Sequence, residues 1–336
     1  MKHVYIVVTV VAVLAGNTLP VAAGEPLTDS HPDLQWPALS EEVWREATPK
    51  ELEGELRAGA DIEARGGEFA ATALMYAARN NANPKVVEVL LDAGAEVGAR
   101  NDDGVTALMY AAGENENPVI VETVLNAGAD VNAHDKYGST ALKHAAGFNK
   151  NPEVIEALLD AAADIEARND SGRTALMFAA ALNNNPDVTQ TLLGAGANLE
   201  ARDDEGWTAL MASAGYNEKP AVTQTLVDAG ANLEARQEAG WTALMFAAAL
   251  NNNPGVTQAL LDAGADPEAR AESGWTALMA AAEFNENPEV IHALLDAGAD
   301  PRAKRDDGRT AWDLLNNNKY LRGTDAYWRL NDLRFE

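Results

Sequence analysis

There is no cysteine in the 336 residues. That excludes disulfides, thiol nucleophiles, Cys-type zinc sites and a cysteine-attached lipid anchor. Positive charge is scarce as well: 25 Lys and Arg face 52 Asp and Glu, a formal charge of −27. Such a surface repels the phosphates of nucleic acids and anionic lipids, so neither is expected as a partner. The five histidines are His3, His31, His134, His144 and His292. No carboxylate spacing completes a three-ligand metal site with them, although His134 and His144 could approach one another. Nucleophile-elbow, phosphate-loop, zinc-protease and EF-hand patterns are missing too. No catalytic constellation, metal or cofactor is implied, and the chain is not expected to be an enzyme. Asp102-Asp103, Asp203-Asp204-Glu205 and Asp306-Asp307 read as solvated turn charges.

The first residues are unlike the rest. Met1-Lys2-His3 is a short positive start, and Val4 to Gly16 is almost wholly apolar. Val21-Ala22-Ala23 supplies the small residues of a cleavage site. The run is shorter than the ~20 apolar residues of a comfortable membrane span. Residues 1–23 therefore read as a secretory signal, removed to leave no stable membrane span. Residues 24–36 read as a polar leader. A periplasmic or secreted location follows, and a chain without thiols suits an oxidising compartment.

From residue 72 the sequence becomes periodic. Thr-Ala-Leu-Met recurs at Thr72, Thr106, Thr174, Thr208, Thr242 and Thr276, and Thr140 and Thr310 fill the remaining registers at steps of 34. Seven units run from 72 to 309. A period of this length implies a solenoid whose units bury their apolar faces against their neighbours. In the unit at Thr106, Thr106 is placed to cap a helix with Leu108, Ala111 and Ala112 on one face. Asn115-Glu116-Asn117 breaks that helix. Pro118 opens a second one, with Ile120, Val124 and Leu125 buried and Gly128 as a left-handed C-cap. Asp130, Asn132, Asp135 and Gly138 then supply turn chemistry. The recurrent Asn-x-Asn-Pro loop reads as structural caps rather than a ligand-reading row. The cap glycine is replaced once, by Ala162, where a left-handed residue is expected to be strained.

These residues resemble the ankyrin repeat. Thr106, Leu108, Ala111, Ala112, Gly128, Ala129, Asp130, Val131, Asn132, Ala133, Asp135 and Gly138 match that family's pattern, over roughly residues 37–336. Three features depart from it: Ala replaces the tetrad's Pro, Met or Lys143 replaces its His, and the inter-helix loop is one residue longer. The resemblance implies an α (mainly helical) solenoid of paired antiparallel helices with projecting β-hairpin loops. Residues 37–71 are then an N-terminal capping half-repeat and 310–336 a C-terminal cap. It also implies a non-catalytic, monomeric scaffold, here a bacterial exported variant, that binds a protein partner in a concave groove. The partner is not named by any residue.

Variable positions within the fixed register are the candidates for recognition. The residue before each Thr becomes Trp in three consecutive units, Trp207, Trp241 and Trp275, flanked by Arg173 and Arg309. Stacked units would place these rings about 10 Å apart as an apolar strip. The competing reading has each Trp staple its hairpin to the next unit. A second class of function uses the Trp row to stack a carbohydrate or small ligand. Four residues after Thr, Phe178 and Phe246 are further candidates, against which stands ordinary packing between units. A row of cations, Arg65, Arg100, His134, Arg168, Arg202, Arg236, Arg270 and Lys304, is expected to pair locally with Glu63, Glu166, Glu200, Glu234 and Glu268, each two residues before its cation, against the sharper alternative of partner contact by Arg–aromatic stacking beside the Trp row.

Overall fold

The computed structural model describes residues 40–67 and 69–335. The signal and leader readings lie outside them, with His3, His31 and Trp36.

Each unit folds as two antiparallel helices. The first helices are Ala73–Asn80, Ala107–Glu114, Ala141–Phe148, Ala175–Leu182, Ala209–Tyr216, Ala243–Leu250 and Ala277–Phe284. The tetrad Thr stands before each in extended conformation, and in most units its hydroxyl accepts a bond from the third helical N–H, as at Thr106 and Met109 (3.3 Å). The second helices, Pro84–Asp92 through Pro288–Asp296, all begin with Pro, which has no N–H to leave orphaned at that position. The second Asn of the loop caps them: Asn117 Oδ1 accepts from Val119 N at 3.1 Å. Lys219 stands at this position in one unit, and the cap is lost there.

First helices pack on the first helices of adjoining units, and second helices pack on second. The first-helix contact is the more intimate because two of its rows are small residues. Leu210, Ala209 and Ala214 are buried, and Gly215 lies 3.5–3.8 Å, measured from where a Cβ would stand, from Leu250, Trp207 and Phe246. The second helices bury a Val-Ile-Leu stripe, such as Val154, Ile155 and Leu158. No described helix is long and apolar enough to cross a membrane.

The first Asn of each loop does more than cap. Asn251 is 2% exposed, and its Nδ2 donates to Ala214 O (3.0 Å) and Asn217 O (2.9 Å) of the preceding unit. Asn81, Asn115, Asn149, Asn183, Asn217, Asn285 and Asn318 make the same pair of bonds. Buried carbonyls at the ends of first helices need donors, and this ladder supplies them across every unit boundary.

The projecting hairpins are tighter than expected. Arg65–Gly66 pairs with Ala71–Thr72, and His134 forms a single bridge to Thr140. At other units the extension is a side-chain-centred turn, as where Asp203 Oδ1 accepts from Glu205 N (3.0 Å) and Trp207 N (2.8 Å). The side chain replaces strand pairing as the acceptor.

The expected pairing of the cation row with Glu is corrected by these bonds. Arg202 Nη1 donates to Gly206 O (3.1 Å) and Arg236 O (2.6 Å), and Arg65, Arg100, Arg236 and Arg270 likewise reach a carbonyl of the next unit. The Glu row bonds backbone N–H groups of the next unit instead, as Glu200 Oε1 accepts from Asn232 N (2.8 Å). Unsatisfied turn carbonyls and amides outcompete exposed ion pairs, which contribute little. Arg168 departs and pairs with Asp204 at 3.3 Å.

The ends close differently. At the N-terminal end, helices Glu41–Glu46 and Pro49–Arg57 cover the first full unit, with Trp44 fully buried against it. At the C-terminal end, the short helix Ala311–Leu315 is followed by Asp325–Leu333, whose Arg329 donates to Asp296 at 2.6 Å.

Candidate functional site

The Trp register and the first helices of the same units build one continuous aromatic ladder. Trp207 stacks on Tyr216 (centroids 5.5 Å) and meets Phe246 at 3.9 Å. Phe246 touches Trp241 at 5.3 Å, and Trp241 touches Trp275 at 6.0 Å. Trp275 stacks on Phe284 at 5.5 Å, and the Arg305 guanidinium lies 4.2 Å from its ring centre. The turn before Thr208 and Thr276 aims the indole down onto the end of the first helix that follows, eight residues after that Thr. The last residue of one unit thus stacks on the first helix of the next, and for Trp207 the unit after that supplies Phe246 beside it.

This geometry corrects part of the expected strip. Trp207 is 6% exposed and Phe246 2%, so both are packing residues. The rings are also tilted toward one another, and 6.0 Å separates Trp241 from Trp275, in place of about 10 Å. Rings that lean together bury more area than rings held parallel to the repeat axis. Trp241, Trp275 and Phe178 are half-buried and keep part of their surface in solvent. Arg173 is engaged: its Nε donates to Asp203 Oδ2 at 3.2 Å, and both side chains are nearly covered. Arg309 is exposed and donates to Asp307 at 2.9 Å. Eight residues after Thr the sequence turns apolar from the third unit onward, and the ladder rests on that row. Phe148 is exposed there, and Leu182, Tyr216, Leu250 and Phe284 are half-buried in line.

Polar groups flank the ladder. Burial pushes the Tyr216 hydroxyl up to about 12, and that oxygen has no hydrogen-bond partner among the described residues. Glu205 is raised first by burial and then by the Asp203 charge. His134, near the end of the second unit, and His144, in the third, both lie against Asp135. His144 Nε2 lies 3.0 Å from Asp135 Oδ2, and the His134 ring contacts Asp135 O. Burial pushes the Asp135 carboxyl up, but bonds from His144, Ser139 N and Tyr137 N together outweigh it and hold it below the usual carboxylate range. Phe246 takes the place of His144 three units on, so polar and aromatic fillings occupy one register.

A family model described as ankyrin repeats in three copies matches residues 74–169, 114–203, 148–237, 176–271 and 214–305, well over half of the chain together. Among solved structures, the ankyrin repeat domain of human ASB11 superposes with a TM-score of 0.59 at 23% identity, over 68% of this chain and 98% of that one. That likeness speaks to the fold. No curated protein matches the chain. The 34-residue units, the paired helices and the family match agree, and the chain belongs to the ankyrin repeat family, whose repeats are protein–protein interaction scaffolds.

Proposed function

We propose that the chain acts outside the cytoplasm and holds one protein partner against the hairpin tips and first helices of the units from Thr174 onward. The observation that carries this is the half-buried run Trp241–Trp275–Phe284, which keeps part of its surface in solvent and is fixed from below by buried Trp207 and Phe246. Rigid aromatic surface costs little entropy to bury, and Trp is among the residues most enriched at binding hot spots. The export part rests on residues 1–23 and makes Gly24 the first residue of the mature chain.

Affinity capture from the exported fraction of the native host tests the reading, with the wild-type chain and Trp241→Ala compared. Loss of the captured protein, with melting little changed, is expected; a hot-spot truncation costs about 2 kcal/mol or more of binding. Equal capture by the folded variant, with a large fall in melting temperature, overturns it and leaves the ring as scaffold.

A further inference from the structure

The hairpin tips carry a second periodic row. Asp170, Asp204, Glu238, Glu272 and Asp306 share one register, 34 residues apart, and all are exposed. Each stands three residues before Arg173, Trp207, Trp241, Trp275 or Arg309, inside the same turn: Gln237 N bonds Trp241 O (3.1 Å) around Glu238, and Ala271 N bonds Trp275 O (2.9 Å) around Glu272. Successive tips are tied together, as where Glu272 N donates to Ala239 O (3.1 Å) and Asp306 N to Ser273 O (3.1 Å). The carboxylates therefore repeat in step with the stacked units. The row is interrupted at Lys136, which pairs with Asp103. It resumes where the half-buried aromatic and aliphatic strip begins.

Packed helices lie about 8–10 Å apart, so the acids recur at about that interval. This spacing selects among extended backbones. In a β-strand, side chains on one face recur at about 6.7 Å and fall out of step within two units. A polyproline II segment has three residues per turn and rises about 3.1 Å per residue, so every third side chain projects from one side at about 9.3 Å. Such a segment is preformed and docks readily on aromatic-lined surfaces.

We propose that the tips and the Trp241–Trp275–Phe284 strip dock an extended polyproline-type segment of a partner, with Arg or Lys at every third position and Pro or other apolar residues between. The cations meet the acid row, one per unit, and the apolar residues lie on the strip. The chain's net charge of −27 draws such a segment in from a distance. This inference rests on the strip being the partner surface, and it adds the chemistry and the pitch of what binds there.

The probe is a labelled peptide of about fifteen residues, built of Arg-Pro-Pro triplets, titrated into the full chain and followed by fluorescence anisotropy. Its control has the same composition in two blocks, arginines first. The periodic peptide is expected to bind about tenfold more tightly than the block peptide or better, and a peptide of Glu-Pro-Pro triplets is expected not to bind. Glu238→Lys combined with Glu272→Lys should weaken the periodic peptide by about tenfold or more, because two charge pairs turn repulsive. Both positions are exposed, so melting serves as the folding control. Equal affinity of the periodic and block peptides overturns the proposal and leaves only attraction of any cation to an acidic protein. Failure of the periodic peptide to bind also overturns it. If native-partner capture is still lost on Trp241→Ala, the protein-binding reading survives that failure; if capture is unchanged, both fall.

Discussion

The unit that begins at Thr140 and the one that begins at Thr242 have the same helices at the same offsets, with very different fillings. At Thr242 the hydroxyl caps Met245 N, Met245 is 1% exposed, Phe246 joins the aromatic ladder, and Gly264 takes the left-handed position at φ 94°. At Thr140 the hydroxyl has no partner among the described residues. Lys143 occupies the Met position at 1% exposure with Nζ equally unbonded, His144 bonds Asp135, and Ala162 is held at φ 64°. Both keep their Asn ladder bonds: Asn149 reaches its two carbonyls at 2.9 and 2.8 Å, and Asn251 at 3.0 and 2.9 Å. The ladder and the Ala rows therefore suffice to set the backbone. The rings of the later units are not required to set the backbone.

Four substitutions break or sharpen this contrast. The largest effect is expected for Phe246→Ala, which removes a ring touching Trp207 and Trp241; it should lower stability by about 3–5 kcal/mol in urea unfolding. His144→Ala, at the same register, should cost clearly less. An equal loss would mean the aromatic filling adds nothing to packing.

Next comes Lys143→Met, which should raise stability by about 2–3 kcal/mol at pH 7, since six other units already hold Met there. Burial pushes the Lys143 ammonium down to about 8 from 10.5. The folded state thus disfavours the proton, and the unfolded state binds more of it between these two values. Stability of the wild-type chain should rise as pH climbs from about 8 to 10.5, and the advantage of Met, full below pH 8, should shrink over that window. A gain independent of pH would show that volume, not charge, is the defect.

The smallest effect is Ala162→Gly. Ala at a positive φ is disfavoured relative to Gly, so the change should stabilise by about 0.5–1 kcal/mol. In a solenoid that gain is local and should appear as slower hydrogen exchange across residues 150–175.

Much of this contrast is legible in the order of the residues. The 34-residue step, the Thr cap and Pro118 at the start of a second helix locate the helices, because caps and breakers act within a few residues. The strained Ala162 stands out as a break in a glycine row. The Asn ladder does not, because its acceptors lie 34 and 37 residues earlier and only stacking brings them near. One signal of it exists: Asn217 persists where Lys219 has replaced its companion. The Trp register is plain in the sequence, but exposure is not. Whether an indole faces solvent depends on the residue 39 positions on: Phe246 meets the buried Trp207 at 3.9 Å, and Ala280 holds the same offset from the half-buried Trp241.

Because every interior ladder bond spans a fixed interval, the array has no privileged length. A duplicated stretch of 34 residues brings its own donor and presents its own acceptors, wherever the cut falls. At the front, Ala47 stands where a ladder Asn would be, and it offers its carbonyl to Asn81 without a side chain that could reach backward. Growth by copying is open at each interior joint and shut at that leading edge. The number of units, and with it the reach of the binding face, can change by recombination without redesign of a single contact.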